Sequence, residues 1–177
     1  MSKNIWVPDS PNTILFFDMV TADTVQALIA DIEAKHRDAK KNKSSVQLLI
    51  NSTGGDVKSG LAFLYTMQDL GIPLKTYGFG IESAALLLYL AGTNRFADKT
   101  KTKFLLHEAK VHLDGEYTAH SASTIVQELE NLNHVFAERL VERTSAGEEY
   151  IVELMHNETW LSAKQAKVLG IVHEIID

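Results

Sequence analysis

Ser83 stands between a short run expected to be a strand, Leu74 to Phe79, and the apolar run Ala84 to Ala91. A hydroxyl there would sit on a rigid element at a helix N-terminus, where developing negative charge is favoured, and could serve as a nucleophile. Gly54-Gly55 follows the apolar run Val46 to Ile50, and a turn without side chains lets backbone N–H groups approach a substrate carbonyl. Both features have ordinary uses as well, because serine is a leading N-cap residue and a glycine pair makes a tight turn. His107 ends the run Lys103 to His107, where an imidazole is commonly satisfied by a backbone hydrogen bond.

Other chemistries fit less well. Lys58-Ser59 resembles the end of a phosphate-binding loop, but Val57 stands where that motif needs glycine. His107-Glu108 and His112 are spaced by five rather than four residues, so they do not form the zinc-protease helix pattern. Cysteine is absent, which excludes disulfides, thiolate metal sites and a cysteine nucleophile, and neither a metal nor another cofactor is expected. A net charge of −6 offers no positive field for nucleic acid. Met1 to Thr13 lacks a secretory pattern, and Ala84 to Ala91 is far shorter than the ~20 residues that span a bilayer. The expectation is a cytoplasmic protein without a membrane partner.

The elements that must position these residues alternate. Ile14 to Phe17 reads as a strand, followed by a helix with Thr21 as N-cap and Val25, Leu28, Ile29 and Ile32 on one side. The polar stretch Lys40 to Ser45 closes that helix, and Val46 to Ile50 reads as a buried strand. A second helix should present Val57, Leu61, Leu64 and Gln68 and stop at Gly71. Ser83 should open a buried helix that stops at Gly92, and Arg95 to Ala97 and Lys103 to His107 read as strands. Ile125, Leu129, Leu132, Phe136 and Leu140 mark a long helix over about 119–143 with one apolar stripe. Ser145 with Glu148 and Ser162 with Gln165 have capping-box spacing, and Ile171 to Ile176 reads as a last strand. Such alternation implies a layered α/β architecture, and at 177 residues without a linker the chain suits one domain.

Several separated motifs then agree in order and spacing with one family. The segment Leu48 to Gly60, with Ile50-Asn51-Ser52-Thr53-Gly54-Gly55 at its centre, resembles the Ile-Asn-Ser-Pro-Gly-Gly turn of the Clp protease proteolytic subunit. Thr66-Met67-Gln68, the run Ser83 to Gly92, Phe104 to His107 and Trp160 to Gly170 are similar to further stretches of that family, so the resemblance covers about residues 14–177. It implies a ClpP/crotonase-like spiral of β-β-α units with a protruding handle helix, the handle region falling at about 111–143 of a single peptidase domain over 1–177.

The resemblance also implies roles. Ser83 would be the nucleophile of a serine endopeptidase, His107 its base, and the backbone N–H groups of Gly55 and Ala84 its oxyanion hole. The third member falls on Glu158 where the family has aspartate. Other departures are Glu82 directly before the serine, Thr53 for proline, and Glu108-Ala109 for a Gln-Pro pair. The implied partners are a peptide or unfolded-protein substrate, further copies of the chain in a homo-oligomer, and a Clp-type ATPase as a candidate. Two alternatives stand beside the peptidase: a catalytically silent assembly protein, favoured by Glu82 and Glu158, and a crotonase-type acyl-CoA enzyme.

Overall fold

A computed structural model describes residues 10–41 and 44–177. Most of the N-terminal segment read as lacking a secretory signal lies outside the described residues, as do Asn42 and Lys43 of the polar stretch after the first helix. The chain runs β1 (Thr13–Phe16), α1 (Ala22–Lys41), β2 (Val46–Ser52), α2 (Val57–Leu70), β3 (Leu74–Glu82), α3 (Ala85–Leu90), β4 (Asn94–Asp98) and β5 (Lys103–Leu106). It continues with α4 (Ala119–Arg143), α5 (Glu148–His156), β6 (Thr159–Ser162), α6 (Ala163–Val168) and β7 (Glu174–Ile176). The α/β class and the long handle helix agree with the sequence.

Strands β1, β2, β3, β4 and β7 are neighbours in that order and all pair in parallel, as expected of strands joined by helical crossovers. The sheet forks at β3. Lys75 to Gly78 pair with β4, whereas Gly80 to Glu82 pair with β5, so the end of β3 leaves one neighbour and takes another just before Ser83. Strand β6 then adds antiparallel to β5, with Leu106 opposite Thr159. This β6 pairing has no counterpart in the sequence reading, because Thr159 to Ser162 is too short for a visible alternation.

Apolar residues from β1 to β6 and from all six helices meet in one core that includes Leu48, Ile50, Phe63 and Phe104. Helix α3 is buried at every position, as its composition requires. Helix α2 buries Leu61 and Leu64 and packs Val57 against the core as expected, but its buried face also takes in Phe63 and Met67, and Gln68 is exposed. Gly60 lies within that buried face at a close approach, where a Cβ would lie 2.9 Å from Leu87 Cδ1.

Gly71 adopts φ 59° and caps α2 as predicted. Gly92 does not act through a left-handed backbone; it leaves room for the Thr76 side chain, which a Cβ would strike. The capping box at Ser162 and Gln165 forms. The one expected at Ser145 does not, because Ser145 N–H and Oγ both donate to the Leu169 carbonyl, at 2.9 and 3.2 Å, and Gly147 is the N-cap of α5. Buried Arg95 ties these distant segments together, donating from Nε to the Ile171 carbonyl at 2.7 Å and from Nη2 to the Arg143 and Gly170 carbonyls at 2.8 Å.

The apolar stripe of α4 divides in two. Phe136 and Leu140 are buried, together with Ala137, whereas Ile125, Leu129 and Leu132 are only half-buried because the N-terminal part of the helix extends past the core. Among the described residues no helix is long and apolar enough to cross a membrane.

Candidate active site

Ser83 is not the N-cap of α3. Helix α3 starts at Ala85 with Ala84 at the cap and no side-chain cap bond, and Ser83 sits before it with φ 54°. Only Ser83 and Glu158 among the described non-glycine residues have positive φ. An L-residue in that region carries strain, and a serine held so at a strand-to-helix turn is the arrangement that presents a hydroxyl away from its own helix. Neighbouring bonds fix the turn: Ser83 N–H donates to the Leu105 carbonyl at 2.9 Å, and the Ser83 carbonyl accepts from Leu86 N–H at 2.9 Å.

The glycine turn is pressed against this serine. At Gly54, with φ 87°, a Cβ would lie 2.6 Å from the Glu82 carbonyl oxygen, 2.7 Å from Ser83 Cβ and 3.0 Å from Ala84 N, so glycine is required for the two turns to meet. Gly55, at φ 145°, faces Val20 as closely, and the turn is pinned there by Val20 N–H to the Gly54 carbonyl and Asp56 N–H to the Val20 carbonyl, both 2.8 Å. Among the described residues, neither Gly55 N–H nor Ala84 N–H donates to a backbone acceptor outside regular elements, and neither residue lies inside a named helix or strand.

The β5–β6 pairing places His107 and Glu158 at the same end of the two strands. Leu106 opposes Thr159 as the last pair, His107 leaves β5 directly after it, and Glu158 enters β6 directly before it with φ 46°. A pocket of about 310 Å³ contains Ser83, His107 and Gly55, with Met19, Leu129 and Leu132 among its apolar walls. A roomier cleft of about 390 Å³ beside β1 and α1 is lined by neither serine nor histidine.

The side chains are not linked as a closed triad. Among the described residues no hydrogen bond joins Ser83 to His107; the His107 Nδ1 lies 2.6 Å from the Glu108 carbonyl oxygen. Glu158, an exposed side chain, pairs through Oε1 with Lys110 Nζ at 2.8 Å. Hydrogen bonding to the Lys110 ammonium, then its charge, holds the Glu158 carboxyl below the usual carboxylate range, and His107 adds to the effect. Lys110 also lines the pocket.

A family model described as Clp protease matches residues 10–177. The chain belongs to the Clp protease family. It is 29% identical over 135 residues to the ATP-dependent Clp protease proteolytic subunit 2 of Corynebacterium diphtheriae, covering 75% of this chain and 66% of that protein. It is 28% identical over 141 residues to the protein of the same description from Thermobifida fusca, covering 78% and 68%. The chain therefore spans about two thirds of the length of these curated relatives. A solved structure of a ClpP1 mutant from Listeria monocytogenes aligns over 94% of this chain and 91% of its own, with a TM-score of 0.80 and 22% identity. That likeness shows the ClpP fold.

Within this Clp protease fold, three groups around the loop after His107 carry no role in the sequence reading: Lys110, the Glu108 carbonyl, and Asn133, whose Oδ1 accepts from Ala109 N–H at 2.7 Å. The loop after His107 has no periodicity, so only spatial proximity reveals them. Asn133 belongs to α4 and thus anchors that loop to the handle.

Proposed function

We propose that this Clp protease family member is a serine endopeptidase acting on peptides or unfolded chains, with Ser83 as nucleophile, His107 as base and Glu158 as the acid that orients it. The observation that carries this reading is the strained backbone of Ser83, φ 54°, facing a pocket it shares with His107 and Gly55. With Nδ1–H donating to a carbonyl, Nε2 of His107 keeps the lone pair needed by a base. In the proposed reaction Nε2 takes the Ser83 hydroxyl proton as Oγ adds to the scissile carbonyl. The resulting oxyanion is met by the Gly55 and Ala84 N–H groups, and the proton passes to the leaving amine. Water, deprotonated by the same imidazole, then hydrolyses the acyl-enzyme and restores Ser83.

Self-association belongs to the same proposal. The exposed Val126 and half-buried Ile125 and Leu129 leave apolar surface along the outer part of α4, which a second copy of the chain would cover in closed symmetry. A Clp-type ATPase is the candidate partner suggested by the relatives' names.

Hydrolysis of a short fluorogenic peptide tests the reading. His107→Ala is expected to lower turnover by about 10³-fold or more, with fold retained. Equal turnover in both proteins would remove His107 from the mechanism. A silent assembly protein is the second reading, favoured by the open Ser83–His107 geometry; it expects assembly without turnover in the native chain.

A further inference from the structure

Two contacts occupy the acid and the base. Lys110 Nζ holds Glu158 Oε1 at 2.8 Å, and the Glu108 carbonyl oxygen sits 2.6 Å from the His107 nitrogen that an orienting acid would address. His107 directly follows Leu106 and Glu158 directly precedes Thr159, the last pair of the β5–β6 register, and the Glu158 carboxyl senses the His107 charge after that of Lys110. The lysine itself is tethered: its neighbour Ala109 is anchored to Asn133 Oδ1 on α4, which keeps Lys110 beside the pocket. Both partners of the ion pair are exposed, with side-chain exposures of 62% and 59%, so the pair can exchange rather than being locked by burial.

Resting on the peptidase reading, we propose that Lys110 is a positioning residue that restrains the triad, holding the Glu158 carboxylate off His107 and limiting how often the acid orients the base. Lys110→Met removes the ammonium and keeps an apolar stem of similar reach. Ser83 labelling by a fluorophosphonate reads the outcome in the full chain, with the assembled state of each variant checked by sizing. Lys110→Met is expected to label about threefold faster, the order set by one exposed ion pair. Lys110→Arg, which restores the pair, is expected to return the rate toward that of the native chain. Combining Lys110→Met with Glu158→Gln is expected to erase the gain, because the released carboxylate is then gone.

Labelling of Lys110→Met at or below the native rate, or a gain that survives Glu158→Gln, overturns the restraint while leaving the peptidase reading intact. Absence of Ser83 labelling in the native chain and every variant overturns the peptidase reading, and this inference with it.

Discussion

Replacing Ser83 with alanine is expected to lower peptide turnover by at least about 10⁴-fold, the scale of nucleophile removal in a serine triad. Ser83→Gly is expected to lose as much activity and yet to be more stable than Ser83→Ala by about 1 kcal/mol. The difference follows from the backbone. At φ 54° any residue with a Cβ is strained, alanine keeps that strain, and glycine relieves it. Chemical denaturation of the two variants measures the gap, and a peptide assay measures turnover. Strain at a position where a glycine would fit without penalty is what a functional side chain costs. Alanine and glycine variants of equal stability would remove the strain from the account, and a working Ser83→Ala protein would remove the nucleophile.

The second large effect is expected at Gly54. Gly54→Ala should reduce turnover by about 10²-fold or more, because a Cβ 2.6 Å from the Glu82 carbonyl oxygen and 2.7 Å from Ser83 Cβ must push the two turns apart. Displacing them moves the Gly55 and Ala84 N–H groups relative to the serine oxygen, the geometry on which oxyanion stabilisation depends. Gly71→Ala provides the comparison. Gly71 also has positive φ, at 59°, but no atom lies within 4 Å of an added Cβ. It should therefore lose about 1 kcal/mol of stability through backbone strain alone, with turnover preserved. Equal turnover in Gly54→Ala and the native chain would contradict the tight apposition of the glycine turn and Ser83.

Much of this arrangement could be read from residue order, and the parts that could not have physical causes. The buried strand Val46 to Ile50, the wholly buried helix after Ser83 and the long helix ending at Arg143 are set by runs and periodicities that survive folding almost unchanged. Gln68 is exposed while Leu61 and Leu64 are buried as expected, because the buried face of α2 runs through Gly60, Phe63 and Met67, and helical spacing does not fix where that face ends. Strand β6 has no local signal: Thr159 to Ser162 is four residues long and pairs only with β5. Ser83 looked like an N-cap because composition does not report the sign of φ. Lys110 carries no pattern at all, and its relation to Glu158 exists only in three dimensions.

Glu158 is thereby given a more definite position than a glutamate replacing an aspartate. It directly precedes the last pair of the β5–β6 register as His107 directly follows it, Lys110 lowers its pKa, and it is the second left-handed non-glycine residue among those described. Its carboxylate reaches Lys110 Nζ at 2.8 Å.

The most direct measurement is mass spectrometry of the folded native protein after reaction with a fluorophosphonate. A single stoichiometric adduct is expected on the peptide containing Ser83, absent from Ser83→Ala and slowed severely in His107→Ala. A folded and assembled sample that forms no adduct, or forms it on another residue, would contradict the assignment of Ser83 as the nucleophile.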